Sequence, residues 1–194
     1  GAKRLIGRSY RTAPKWSVNG KWAVMYDPIA QVWNKFDGAT GKVVNISDAI
    51  GYPMFMESYD KPAPAPAYGI AGWTADGNNV FLYDAYDWWK IDLTGERQPE
   101  CLTKGYGRKH GKSIRKMTSN IDKDVFQKDE KVIVSLWDKD TMDEGVYQLD
   151  MKGRLRKLME GNYVYTIHRF SDNHEYCVWN RQNVSEFRDL WWSK

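Results

Sequence analysis

Long hydrophobic runs are missing from this chain. No stretch of its 194 residues approaches 18 consecutive apolar positions, and a membrane-crossing helix needs about that many, so no membrane span is expected. An excess of charge is missing too. The 29 Lys and Arg stand against 25 Asp and Glu, leaving +4, and the two signs are mixed along the chain. There is no long basic tract interleaved with aromatics, so nucleic acid is not an expected partner. Cysteine is scarce: Cys101 and Cys177 are the two present, each in a strand-like context (Glu100-Cys101-Leu102, Tyr176-Cys177-Val178). Without a CxxC pair neither a redox motif nor a zinc knuckle is supported. Small buried hydrophobes are the favoured reading over a disulfide.

The signatures of catalysis are absent as well. The histidines are His110, His168 and His174, and none has HExxH spacing. The nearest approach to GxSxG is Gly111-Lys112-Ser113-Ile114-Arg115, which lacks the second glycine. Gly111-Lys112-Ser113 also mimics the end of a P-loop, but Gly105, Gly107 and Gly111 do not give the required spacing. No catalytic residue, metal ligand or cofactor is therefore expected. Asp138 to Glu144 (DKDTMDE) is carboxylate-rich but lacks the sixth-position glycine of an EF-hand loop, and reads as an acidic solvated loop. The opening Gly1-Ala2-Lys3-Arg4 is not an apolar signal region. A periplasmic or secreted location is the expectation, with the cytoplasm kept open.

What the chain does have is aromatic mass: 10 Trp, 12 Tyr and 6 Phe, suited to filling the space between stacked sheets. It also has an internal repeat. Gly72 to Gly95 (GWTADGNNVFLYDAYDWWKIDLTG) reads strand, turn, strand, short loop, strand, turn, with β-branched and aromatic residues in the runs and Gly, Asn and Asp in the breaks. Trp16 to Asp27 (WSVNGKWAVMYD) matches Trp73 to Asp84 (WTADGNNVFLYD) at one constant offset. Asn19-Gly20 then falls on Asp76-Gly77, both hairpin dipeptides tolerant of positive φ. Val32 to Gly41 resembles Trp88 to Gly95, Leu149 to Gly153 resembles Ile91 to Gly95, and a further copy begins at Phe170 to Asn180. Asp48 to Glu57 and Val184 to Leu190 are the weak helix candidates.

Strands recurring with a period of about 45 to 58 residues mark β-propeller blades, in preference to a sandwich with chance similarity between hairpins. The expected fold is all-β and propeller-type, with about four blades of four antiparallel strands, a partial propeller in one segment over 1–194. The blades fall roughly at 14–47, 69–103, 113–160 and 163–194. Turns joining first to second and third to fourth strands should lie on one face and be short. Loops joining second to third strands, and blade to blade, should gather on the other. These are Asp48 to Tyr68, Asp84 to Asp87, Lys104 to Lys112 and Asp138 to Glu144, and long loops on a rigid scaffold are where binding usually sits.

The ligand-facing candidates on that face are Tyr86, Asp87, Tyr106, Arg108 and His110. Asp84 and Asp87 offer a carboxylate pair, but aspartates at strand ends more often cap turns. Lys104 to Lys116 (KGYGRKHGKSIRK) reads as a solvated basic loop, and Lys61 to Tyr68 (KPAPAPAY) as exposed polyproline II between blades.

The blade phrase at Gly72 to Gly95, followed by Pro99-Glu100-Cys101-Leu102-Thr103, and the closing stretch Tyr176 to Arg181 with Ser185 to Trp191, resemble the propeller of prolyl oligopeptidase family serine peptidases, in the dipeptidyl-peptidase-like branch. The blade grammar is shared with TolB-like propellers. The resemblance implies a non-catalytic segment that gates or positions peptide substrate for a separate α/β-hydrolase domain, which would be its partner. The Ser, Asp and His of that domain are not in this chain. The glutamate pair that dipeptidyl peptidases offer to a substrate amino terminus has no adjacent Glu-Glu here, so that role is not carried over. The alternative is a stand-alone TolB-like propeller binding carbohydrate or protein. Open blade edges would need covering, and a homodimer completing a ring is one expectation; a monomer by light scattering would remove it.

Overall fold

The computed structural model describes residues 3, 13–117, 124–173 and 175–194. The residues before Ala13, apart from Lys3, lie outside these residues, and so does His174. The chain folds as successive antiparallel sheets. The first takes β1 (Lys15–Trp16), β2 (Trp22–Asp27), β3 (Val32–Asp37) and β4 (Val43–Asn45) in simple sequence order. The second takes β5 (Ile70–Thr74), β6 (Asn79–Tyr83), β7 (Trp88–Asp92) and β8 (Glu100–Cys101). A four-residue helix, α1 (Tyr106–Lys109), leads to the third sheet. That sheet holds β9 (Lys112–Lys116), then, beyond β10 (Val125–Phe126), β11 (Lys131–Asp138), β12 (Glu144–Asp150) and β13 (Leu155–Gly161). The fourth is β14 (Val164–Phe170), β15 (Cys177–Gln182) and β16 (Asp189–Ser193).

Within each sheet the strands pair antiparallel in sequence order, apart from β10. This up-and-down order within four sheets packed face to face is that of propeller blades. The architecture is a partial β-propeller. Strands in its middle are buried on both faces, and the sequence shows why. In β6, Val80 and Leu82 enter the core against the first sheet, with Trp22, Val24 and Trp33. Phe81 and Tyr83 enter the next core, with Ile114, Val134 and Leu136. Alternation along a strand sends successive side chains to opposite faces, so a strand between two sheets must be apolar throughout, as NVFLY nearly is. Each such side chain contributes about 1.5–3 kcal/mol by leaving water. A smaller cluster around Val146, Tyr165, Ile167 and Trp179 joins the third and fourth sheets.

Turns matched by repeat in the sequence meet in space. The side chain of Asn19, in the first sheet's opening turn, donates to the Asp76 carbonyl at 2.9 Å. Lys35 Nζ donates to the Leu93 carbonyl at 2.6 Å. Asn19 and Asp76 are equivalent positions on adjacent blades, so there the constant sequence offset becomes a lateral contact.

Two features depart from the regular plan. The fourth sheet has three strands among the described residues, and its outer strand β16 is exposed along its length, Trp192 at 70%. The second sheet has five, because β10 pairs parallel with β5, Val125 opposite Trp73 and Phe126 opposite Thr74. The connection from β9 to β11 is consequently long, although first-to-second-strand turns were expected to be short. Gly72 permits this addition. A Cβ there would stand 2.6 Å from the Phe126 ring and 2.7 Å from the Asp124 carbonyl oxygen, closer than any side chain tolerates. Of the weak helix candidates, Asp48–Ile50 forms a single 3-10 turn, while Val184 to Leu190 is irregular chain entering β16. No helix among the described residues is long and apolar enough to cross a membrane.

Candidate functional site

The loop face is built from the connection β4 to β5, the tight turn β6 to β7, the segment carrying α1 and the turn β11 to β12. At its centre lies a buried pair of aspartates. Asp84 is 0% exposed. Its Oδ1 accepts from the amides of Tyr86 at 2.7 Å and Asp87 at 2.6 Å, closing the turn. Its Oδ2 accepts from Trp89 Nε1 at 3.1 Å and Arg108 Nη2 at 2.9 Å. Asp87 is also buried, and accepts from Thr103 Oγ1 at 2.6 Å and from the amides of Gly107 and Arg108 at 2.9 and 3.0 Å. Those amides belong to the first turn of α1, whose donors have no partner inside the helix, and a carboxylate there is favoured by charge as well as geometry. Gly107 is required by proximity: a Cβ would meet the carbonyl oxygens of Tyr86 and Lys112 at 2.7 Å each.

A second cation closes the network from below. Arg115 donates to the carbonyls of Asp84, Ala85 and Ile114 at 2.7, 3.3 and 2.8 Å, and its guanidinium lies 4.7 Å over Tyr83 and 5.4 Å over Tyr68. Burial pushes its pKa down, yet a guanidinium stays charged under any ordinary condition. Two buried carboxylates are thus matched by two guanidinium groups, the arrangement that makes such burial tolerable.

Arg108 carries the network to the surface. Its guanidinium sits between two rings, 3.9 Å from the Tyr52 centroid and 5.0 Å from that of Tyr86. Tyr52, which comes from the long loop after β4, is 45% exposed. Burial opposes the Arg108 charge, but the Asp84 hydrogen bond and field outweigh it and raise the pKa. Lys139 comes from the third sheet's turn and places Nζ 4.0 Å over the Tyr86 ring. Two cations over the Tyr86 ring fit the negative face of an aromatic ring. Apart from Nη2 on Asp84, the Arg108 guanidinium makes no hydrogen bond among the described residues. Its remaining donors suit a carboxylate or a peptide carbonyl.

Of the five sequence candidates, Tyr86, Asp87 and Arg108 come together. Asp87 is turned inward and holds α1 in place. Tyr106 and His110, at the two ends of α1, lie against each other with tilted rings 4.3 Å apart between centroids, and His110 is exposed. Lys104 to Lys116 is not the solvated basic loop its composition suggests. Arg108 and Arg115 turn toward Asp84, Lys112 and Lys116 pair with Glu160 and Asp124, and Lys104 and Lys109 are left exposed. The sequence reading missed Tyr52 and Lys139, since a cation over a ring across more than fifty positions leaves no local pattern.

Beside this centre the Pro-Ala stretch folds back instead of projecting. Met56 N donates to the Pro66 carbonyl, Tyr68 N to the Met54 carbonyl, and Tyr26 Oη to the Ala65 carbonyl at 3.0 Å. Burial, reinforced by Asp27, pushes the Tyr26 phenol up to about 12. An apolar cleft of about 330 Å³ lies here, walled by Tyr26, Trp33, Tyr59, Pro64, Pro66 and Ile70. Cys101 and Cys177 are free thiols, both partly buried and both raised in pKa by that burial. No cluster of three or more His, Cys, Asp or Glu among the described residues could hold a metal. In the acidic loop, Asp138 Oδ1 is taken by the amides of Asp140 and Thr141.

No protein-family model matches this chain, and no curated protein matches it. Solved structures do resemble it. TolB from Acinetobacter baumannii is 12% identical, with a TM-score of 0.48 over 92% of this chain and 39% of its own. The dihydro-heme d1 dehydrogenase NirN, in complex with DHE, is 12% identical, with a TM-score of 0.46 over 93% of this chain and 36% of its own. The β-propeller domain of the Trilobed protease from Pyrococcus furiosus is 11% identical, with a TM-score of 0.39 over 93% of this chain and 66% of its own. The chain therefore spans well under half the length of the first two. At these identities no residue's role is carried across.

Proposed function

We propose that this chain is a non-catalytic binding segment of a β-propeller, and that its loop face holds an extended peptide across Tyr52, Arg108, Tyr86 and Lys139. The observation that carries this reading is the Arg108 guanidinium, clamped between Tyr52 and Tyr86 at 3.9 and 5.0 Å and anchored on buried Asp84. It presents rigid donors and aromatic edges at the surface, the combination that anchors peptide carbonyls and side chains at low entropic cost. The folded-back Pro-Ala segment and its apolar cleft supply an adjoining wall for non-polar side chains. The parent in this reading is a prolyl oligopeptidase-like serine peptidase. This face would gate and position substrate for an α/β-hydrolase domain that supplies the nucleophile, in a periplasmic or secreted setting.

The test is fluorescence titration of the chain with a mixed-sequence peptide library fraction, alongside a peptidase assay. Saturable binding that falls about tenfold or more in Arg108→Ala, with the fold retained, is expected. Peptide hydrolysis by the chain alone would contradict the non-catalytic reading. Unchanged binding in Arg108→Ala would contradict the site.

A further inference from the structure

The opposite face, where the short turns gather, holds a different kind of site. A cleft of about 450 Å³ lies between the second and third sheets, and four cations line it: Lys90, Arg97, Lys128 and Lys152. They come from four separate pieces of chain. Lys90 lies within β7, Arg97 follows the turn after β7, Lys128 follows β10, and Lys152 sits in the turn after β12. None of the four makes a salt bridge among the described residues. One carboxylate, Asp76, shares the cleft, and it is already engaged. It accepts from the Thr74 hydroxyl and from the Asn78 amide at 2.9 Å. Those hydrogen bonds, helped by the field of Lys90, hold its carboxyl below the usual range. Four positive charges against one negative charge leave the cleft near +3.

The surrounding chain explains why this charge is not neutralised from within. Nearby acids bond elsewhere, and none among the described residues forms a salt bridge with these four cations. Asp92 accepts from the amides of Thr94, Glu96 and Arg97, Asp150 holds Arg154, Asp124 holds Lys116, and Glu130 accepts from the Gln127 amide. Behind the cations the floor is apolar, formed by buried Phe81 and Phe126 with Met151, and a poorly hydrated floor strengthens the field felt by an anion above it. Like charges that converge on a concave surface without internal partners cost stability unless an opposite charge occupies it. The volume suits a small ligand. Arg97 offers a planar fork and the lysines offer point charges, the pairing that recognises phosphoryl oxygens.

We infer that this cleft binds a compact phosphate-rich anion, of the charge and size of a triphosphate group. Such binding is independent of the peptide face, since the two sites share no residue and lie on opposite sides of the sheets.

The experiment is calorimetric titration of the full chain with sodium tripolyphosphate at low salt, with an oligothymidylate as a second titrant. One-site binding is expected, weakening as salt rises because the attraction is screened. It should weaken about tenfold or more in Lys90→Gln/Arg97→Gln and in Lys128→Gln/Lys152→Gln, while Lys61→Gln, exposed on the other face, leaves it unchanged. Lys128 and Lys152 are exposed, so the second pair reports on binding even if the first disturbs the sheet. Absence of saturable binding, or equal weakening by Lys61→Gln, would overturn the inference. Tighter binding of the oligothymidylate than of tripolyphosphate would overturn it in favour of a nucleic-acid surface.

Discussion

Replacing Asp84 with alanine should be among the most damaging single changes in this chain. The carboxylate is 0% exposed and receives four donors. Removing it leaves the Arg108 charge without its direct partner, and breaking a buried pair costs about 3–5 kcal/mol. Arg108 keeps 31% of its side chain exposed, so solvent screening brings the electrostatic part down to about 2 kcal/mol. The buried Asp87 amide and Trp89 indole N–H then lack acceptors, at about 1–3 kcal/mol each when no water replaces the lost bond. A total of about 4–8 kcal/mol is expected, a large part of the 5–15 kcal/mol that holds a typical domain folded. Asp84→Asn should cost less, about 2–3 kcal/mol, because one oxygen can still close the turn while the amide nitrogen faces donors. The double variant Asp84→Ala/Arg108→Ala should be more stable than the sum of its singles by roughly 1–2 kcal/mol, since it strands no charge. Urea unfolding followed by tryptophan fluorescence measures all three. An Asp84→Ala protein within about 1 kcal/mol of the parent, or zero coupling with Arg108, would refute the view of this pair as the keystone of the loop face.

Gly72→Ala should detach β10, because its methyl group collides with the Phe126 ring and the Asp124 backbone. Loss of the Trp73 N to Asp124 O and Ala75 N to Phe126 O bonds would appear as faster hydrogen exchange at Trp73 and Ala75, with about 2–4 kcal/mol of destabilisation. Glu160 sits between Lys112 and Lys157, and the Lys112 hydrogen bond, followed by that of Lys157, lowers its pKa from 4.5 to about 2. A depressed folded-state pKa contributes stability that is full above about pH 4.5 and lost as pH falls toward 2. Glu160→Gln should flatten that part of the acid limb, by under about 1 kcal/mol for so solvent-screened a pair. Lys112 is raised above 10.5, so the same bridge also weakens when the pH climbs past that value.

The repeat was legible in the sequence because a blade needs the same parts each time: a turn tolerant of positive φ, a strand buried on both faces, an aspartate at its end. Asn19-Gly20 and Asp76-Gly77 show this, aligned in sequence and in contact in the fold. The same rule misled at Trp16 and Trp73. They align, but Trp73 is 4% exposed and Trp16 is 54% exposed, since no earlier sheet among the described residues covers the first. At the site, Asp84 and Asp87 were legible as turn-capping groups, and Arg108 as a candidate. The ring clamp was not, because Tyr52 reaches it from another blade. β10 was equally hidden: Val125-Phe126 is two apolar residues in a polar stretch, below any periodicity signal, and its strand character comes wholly from the β5 edge it meets.

That parallel pairing of β10 with β5 carries a consequence for how the chain is made. A sheet whose strands follow one another can finish as its last strand emerges from the ribosome. Here the second sheet cannot. Its inner edge at Trp73 stays open until Val125 and Phe126 have been synthesised, by which time the first strand of the next sheet has already appeared. Contacts between distant positions form slowly, and an unpaired edge is a template for wrong partners in the meantime. The second and third blades are therefore one cooperative unit during synthesis, with no stable stopping point between Lys90 and Phe126. Cutting the gene between them should yield an aggregating product on either side.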